Sequence, residues 1–203
     1  MTPDQIDALV QEQAPFVFDR MFSAMDKVRE RMERACRALG DASVPYAIIG
    51  GNAVAAWVAT RDEGAVRNTR DVDILLDPSD ADAAKAALTA AGFHPIELLA
   101  VTMFLDGEDG TPTEAVHVIW AGQKVRAEYL VAAPAVENAR TIDGKLIVEL
   151  VDLVRMKLES NRRKDQVHIL DMIGVQLIDQ SWLTRLEPHL AERLQALLDD
   201  PDG

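Results

Sequence analysis

The apolar run Tyr46-Ala-Ile-Ile49 ends in two glycines, Gly50 and Gly51, and a helical pattern opens directly behind them. Few arrangements restrict a chain so tightly. A short apolar run bounded by a turn signal is a buried strand. Asn52 is placed to cap a helix from Ala53 to about Thr60. Glycine at the turn lets the backbone approach a ligand closely, and the free N–H groups of a helix start attract phosphate. The same residues also serve as a plain tight turn.

A polar, glycine-containing loop, residues 61–70, leads to Asp71-Val-Asp-Ile-Leu-Leu76. Asp71 and Asp73 are two apart on this predicted strand and share a face. Val72, Ile74 and Leu75 bury the strand around them. Two neighbouring carboxylates at a buried strand end repel each other unless a divalent cation joins them, and Mg²⁺ takes carboxylates together with substrate phosphates. The alternative is a solvated strand edge.

Around this unit the pattern is mixed. Thr2-Pro3 opens a helix to about Gln13, Pro15 interrupts it, and a second helix carries Phe18, Met21, Phe22, Met25, Val28, Met32, Ala35, Cys36 and Leu39 to a stop at Gly40. Pro78-Ser79 opens an alanine-rich helix, with Ser79 and Asp82 spaced as a capping box and Gly92 as its end. Residues 102–105 and 115–120 form strands joined by an acidic turn, and residues 140–148 form a hairpin about Asp143-Gly144. Helices follow at about 149–160, 163–174, 180–185 and 188–198. The expected architecture is α/β: N-terminal helices (1–40), a small mixed sheet flanked by helices (41–148) and a helical C-terminal part (149–203).

Composition limits the partners. The 203 residues carry a formal net charge of -13, which disfavours a broad nucleic-acid surface but leaves room for a small basic pocket; it suits a basic protein partner and equally well serves solubility alone. The single cysteine, Cys36, reads as a core residue and fits a reducing, cytoplasmic setting. The N-terminus has no signal-peptide pattern, and no apolar stretch approaches the roughly 18 residues of a membrane span.

Lys157 is out of place on its helix. Leu150, Leu153, Val154 and Leu158 form one stripe, and Lys157 falls inside it, opposite Asp152, Arg155 and Glu159. A lysine aimed at the core pairs with an acid, here Asp71 or Asp73, or meets an anionic ligand such as a nucleotide phosphate. Lys164, His168 and Asp171 share a face of the next helix, and Lys164 either reaches the same cleft or is solvated. Arg61, Arg67 and Arg70 precede the acid pair and either steer a polyanion toward it or are the ordinary arginines of a surface loop.

Taken together, Gly50-Gly51, nineteen residues, then Asp71-Val72-Asp73-Ile74 preceded by Thr69-Arg70 resembles the nucleotidyltransferase superfamily. Met156-Lys157 and Arg162-Arg163-Lys164-Asp165 look like its abortive-infection toxin-like branch. The resemblance covers roughly residues 40 to 175 and implies the nucleotidyltransferase fold. Gly50, Gly51 and Asn52 would contact the phosphates of a nucleoside triphosphate, with Arg70, Lys157 and Lys164 also on the nucleotide. Asp71 and Asp73 would hold Mg²⁺ or Mn²⁺, and an NMP group would pass to a protein, an RNA end or a small molecule. Two positions depart from the pattern. Catalytic members usually place a third carboxylate on a neighbouring strand, where this chain has His117, and His168 stands at the last aspartate of the C-terminal pattern. His117 is either a metal ligand of a kind better suited to Zn²⁺ or Mn²⁺, or an ordinary half-buried histidine. The alternatives to catalysis are a noncatalytic nucleotide-sensing or protein-interaction module, and the toxin of a toxin–antitoxin pair whose acidic surface meets a basic antitoxin.

Overall fold

Asp73 lies in the central strand of a seven-stranded mixed sheet whose strands run, edge to edge, Phe93–Leu98, Val101–Asp106, Val116–Trp120, Val72–Leu76, Tyr46–Ile49, Lys145–Val148 and Ala139–Ile142. The computed structural model describes residues 3–98 and 101–201, and the side chains among them apart from 3–18, 20, 21 and 98. The elements are α1 (Pro3–Asp41), β1 (Tyr46–Ile49), α2 (Gly50–Ala59), β2 (Val72–Leu76), α3 (Ala81–Ala90), β3 (Phe93–Leu98), β4 (Val101–Asp106), β5 (Val116–Trp120), β6 (Ala139–Ile142), β7 (Lys145–Val148), α4 (Leu150–Ser160), α5 (Arg163–Gly174) and α6 (Pro188–Asp199). Short 3₁₀ turns cover Glu63–Ala65, Pro78–Asp80, Pro112–Glu114 and Gln180–Arg185.

β2 runs antiparallel to β1 and parallel to β5, so the strand that ends at Gly50, the strand behind Asp71 and the strand holding His117 are neighbours. The alternation of β2 divides the core in two. Val72, Ile74 and Leu76 join Ala35 and Leu39 of α1 and Ala84 and Leu88 of α3. Leu75 joins the second cluster, built on α2, α4, α5 and α6. The period-two geometry of a strand puts Asp71 and Asp73 on that second side, beneath α2 and the C-terminal helices.

The structure corrects several boundaries. The predicted break at Pro15 is absent, and α1 is one helix of 39 residues. A proline forfeits one backbone hydrogen bond, and this helix is long enough to continue on both sides. The predicted start at Thr2 lies outside the described residues. α1 passes Gly40 by one residue, and Ser43, at φ 55°, takes the left-handed conformation that turns the chain. Asp77, not Ser79, caps the turn at Pro78: its carboxylate accepts from Ser79 N at 2.8 Å. The helical stretch expected at 180–185 is a 3₁₀ helix, Gln180–Arg185.

β3 is a strand not expected from the sequence, and it carries Pro95, a residue disfavoured inside a sheet. It is the outermost strand and pairs with β4 alone, which is where a sheet tolerates proline. The hairpin of β6 and β7 turns at Asp143 and Gly144, both at positive φ, as a two-residue primed turn requires.

Candidate functional site

α2 begins at Gly50 itself, with φ +69°. Asn52 is therefore inside the helix rather than its cap. The residue before the helix, Ile49, offers no capping side chain, and among the described residues no side-chain cap satisfies the helix start. The first N–H groups of a helix have no acceptor within it and carry the positive end of its dipole; here Gly50 and Asn52 are partly exposed and Gly51 and Ala53 are buried.

The acid pair lies against that turn. A Cβ on Gly50 would overlap the Asp73 carboxylate and lie 2.7 Å from its Cγ, so only glycine fits. A Cβ on Gly51 would lie 2.8 Å from Thr69 Oγ1. Asn52 Nδ2 donates to the backbone oxygen of Asp71 at 2.8 Å, clamping the first turn of α2 to the entrance of β2. The nineteen-residue excursion between the two motifs thus closes to direct contact.

Asp71 carries an ion pair with Lys164 of α5, Nζ to Oδ2 3.7 Å. Burial raises the pKa of Asp73; the charges of Lys157 and His117 oppose that, and the charge of Asp71 adds to it. No ion pair among the described residues reaches Asp73. Two hard carboxylates, one half-buried and held short of counter-charge, suit a divalent cation whose other positions are taken by water or phosphate oxygen. Among the described residues no group of three or more His, Cys, Asp or Glu side chains is arranged to hold a metal. His117 is opposite Asp73 in register, but its Nε2 lies 2.9 Å from the carbonyl oxygen of Pro112. That contact engages one imidazole nitrogen only and leaves Nδ1, the arrangement a metal-bound histidine also uses, but Asp71, Asp73 and His117 do not stand together as a three-ligand group.

Lys157 does point inward and is 7% exposed. Its direct partner is neither Asp71 nor Asp73 but Asp165, Nζ to Oδ1 3.1 Å. Asp165 is fully buried and also accepts from Ser160 Oγ at 2.8 Å and from Arg162 Nε at 2.7 Å. Burial alone would raise the pKa of Asp165; the Arg162 hydrogen bond, the Lys157 charge and Ser160 outweigh it and bring it to about 2. Burial lowers the pKa of Lys157, against the pull of Asp165 and then Asp73. Lys157 is thus tied to Asp165 while its charge is felt at Asp73. Sequence reasoning quoted Asp165 without giving it this part. The contact depends on Asn161, left-handed at φ 48°, which folds α5 back onto α4.

Asp152 and Glu159, expected on the solvent side of α4, are buried. Asp152 accepts from Asn138 Nδ2 at 3.0 Å. Glu159 accepts from the backbone of Leu130 and lies 2.8 Å from His189 Nε2. The connection before β6 and helix α6 cover this face, which a helix wheel drawn for α4 alone does not show.

The loop arginines part ways. Arg67 makes a bidentate pair with Asp171, at 2.9 and 3.0 Å, strapping the loop to α5. Arg70 borders a groove facing α1, and its carbonyl accepts from Arg31 Nη1 at 3.4 Å. His168 Nδ1 is buried without a hydrogen-bond partner, and burial, then the Lys157 charge, lowers its pKa to about 4.

No family model matches the chain, and no curated protein matches its sequence. Solved structures do match. The solution structure of the antibiotic-resistance factor ANT(2'')-Ia aligns with 85% of this chain and 91% of its own, at TM-score 0.51 and 15% identity. The Megavirus polyadenylate synthase aligns with 88% of this chain at TM-score 0.54 and 11% identity, and the match spans 39% of that synthase. The mixed sheet flanked by helices is the nucleotidyltransferase fold of these neighbours.

Proposed function

We propose that this chain binds a nucleoside triphosphate with Mg²⁺ or Mn²⁺ and transfers its NMP group to an acceptor. One observation carries the reading: the helix start at Gly50, which has no side-chain cap, and the carboxylate of Asp73 are in direct contact. A phosphate chain on the helix start therefore lies beside the acid pair. Gly50 makes room for the Asp73 carboxylate and Gly51 for the Thr69 side chain, and Asn52 holds Asp71 in place. Lys164 is placed to leave Asp71 for a phosphate oxygen, and Lys157 adds positive charge from below. Asp71 and Asp73 would hold the cation, which supplies charge neutralisation at the α-phosphate. In the reaction, the acceptor hydroxyl oxygen bonds to the α-phosphorus and its proton goes to solvent. The α–β bridging P–O bond breaks, and pyrophosphate leaves. The motifs around Lys157 and Lys164-Asp165 favour the abortive-infection-like branch.

His117 supports a second reading. It stands beside Asp73 in register, where catalytic members place a carboxylate, and its ring is engaged by Pro112. A chain that binds the nucleotide without transferring it, as a sensor or a protein-interaction module, is consistent with that substitution. Incubation with each α-labelled NTP and Mg²⁺ or Mn²⁺, with protein, RNA and small-molecule acceptors, separates the two. Covalent label on an acceptor supports transfer; saturable NTP binding with no label on any acceptor supports the second reading. No NTP binding overturns both.

A further inference from the structure

Each glycine of the turn admits one side chain from the segment that enters β2. A Cβ on Gly50 would overlap the Asp73 carboxylate. A Cβ on Gly51 would lie 2.8 Å from Oγ1, 2.9 Å from Cβ and 3.2 Å from Cγ2 of Thr69. Asn52, the next residue, holds the backbone oxygen of Asp71. Residues 69–73 therefore run along the first turn of α2, and Thr69, Asp71 and Asp73 meet Gly51, Asn52 and Gly50 in turn. Contact rather than spacing places Thr69 there, because the chain bends at Arg70.

The position of the Thr69 hydroxyl decides what it does. In a helix the Cα–Cβ bond tilts toward the N-terminus. The space that Gly51 leaves is therefore on the side of the first N–H groups of α2, and Thr69 Oγ1 borders it. Those N–H groups have no acceptor within the helix, and Ile49 supplies no cap. Thr69 is partly exposed, between the exposed Asn68 and Arg70. The hydrogen bonds at this end of the loop belong to its neighbours: Asn68 Nδ2 donates to Met25 Sδ at 3.2 Å, the Arg70 carbonyl accepts from Arg31, and the Asp71 carbonyl accepts from Asn52. Among the described residues none involves the Thr69 hydroxyl. A hydroxyl has one hydrogen to donate, and beside a helix start it joins the donors that attract an anion.

We infer that Thr69 is a phosphate-binding residue of this site, its hydroxyl donating to a non-bridging oxygen of the nucleotide's phosphate chain. The inference deepens the nucleotidyl-transfer reading and rests on a nucleotide being bound at this turn. Gly51 then serves by making room for the Thr69 hydroxyl, as Gly50 makes room for the Asp73 carboxylate.

The test is calorimetry on the full chain with ATP·Mg²⁺, tripolyphosphate·Mg²⁺ and Mn²⁺ alone. Thr69→Val keeps the shape that packs on Gly51 and removes the hydroxyl; Thr69→Ser keeps the hydroxyl and removes the methyl group. Thr69→Val should lose at least about tenfold in affinity for both ATP·Mg²⁺ and tripolyphosphate·Mg²⁺, the scale of one hydrogen bond to a charged group. Thr69→Ser should stay within about threefold of the parent for both, and the Mn²⁺ affinity of both variants within about twofold, since Asp71 and Asp73 are untouched. Circular dichroism confirms the fold, and Thr69→Ala takes the place of Thr69→Val if the valine variant does not fold. Undiminished binding by the folded variant without the hydroxyl overturns the inference, as does an equal loss in Thr69→Ser, which would assign the effect to packing. A parallel fall in Mn²⁺ affinity would mean that Thr69 acts by holding the acid pair, and a loss for ATP·Mg²⁺ without one for tripolyphosphate·Mg²⁺ would move the hydroxyl from the phosphates to the nucleoside; either result also overturns it. A parent that binds neither ATP·Mg²⁺ nor tripolyphosphate·Mg²⁺ overturns both this inference and the nucleotidyl-transfer reading, whereas a parent that binds both and is matched by Thr69→Val overturns this inference alone.

Discussion

The Asp73 carboxylate fills the space where a side chain on Gly50 would begin. Gly50 is held there twice over, by that contact and by its left-handed backbone at φ +69°. Gly50→Ala should therefore cost more than the roughly 1–2 kcal/mol of a left-handed alanine, and divalent-cation affinity should fall as Asp73 is displaced. Gly51→Ala meets the Thr69 side chain, Oγ1 at 2.8 Å and Cβ at 2.9 Å, but adds no left-handed backbone strain and leaves Asp73 in place, so it should cost less. Urea melts with Mn²⁺ titrations of both variants check the order; equal losses would show that the Asp73 contact contributes nothing.

Asp71→Asn combined with Asp73→Asn should abolish divalent-cation binding and leave the protein folded. Because burial raises the folded pKa of Asp73, its ionised form destabilises the empty protein as pH rises above the ordinary carboxylate value. Removing that charge should leave the double variant as stable as the parent at neutral pH, or slightly more so. Calorimetry with Mn²⁺ showing unchanged affinity would reject the metal assignment.

Lys157→Met should destabilise the protein even without nucleotide, since it strips a cation from a fully buried carboxylate. Breaking a buried pair costs roughly 3–5 kcal/mol, and Asp165 keeps Arg162 and Ser160, so the lower end is expected. Pairing the change with Asp165→Asn should recover part of the loss. If Lys157 also serves the nucleotide, ATP·Mg²⁺ will protect the parent more than the variant in the same melts. A variant as stable as the parent would mean that the Lys157–Asp165 pair adds no net stability.

His168 should make the protein acid-sensitive. Its folded pKa, about 4, lies below its ordinary 6.5, so between these values the unfolded chain binds the proton and the folded chain does not. Stability should fall as pH drops from about 6.5 to about 4. His168→Gln should flatten that window. A further loss, as pH falls from the ordinary carboxylate range toward about 2, is expected from Asp165, whose folded pKa is depressed. An unchanged slope between pH 6.5 and 4 in the His168 variant would assign the sensitivity elsewhere.

The sequence by itself determined the centre of this protein. Tyr46–Ile49, Gly50-Gly51 and Asp71–Leu76 carry local signals, namely apolar runs, glycine and period-two alternation, strong enough to set β1, the turn and β2 before any long-range contact is known. The hairpin at Asp143-Gly144 and helices α4, α5 and α6 were legible for the same reason. Tertiary structure alone decided the rest. β3 exists because an edge position tolerates Pro95, and an edge is a property of the whole sheet. The partner of Lys157 could not be read from a helix wheel, which shows that the lysine points inward but not what waits there. Asp165 reaches it only through the left-handed turn at Asn161. Asp152 and Glu159 look solvated on α4 and become buried when the segment before β6 and α6 close over them. The groove beside Arg70 is likewise assembled from α1, one loop and one turn far apart in the chain. Local patterns are short-range physics and survive in a single sequence; burial and partnership are shared by segments that meet only when the chain has folded.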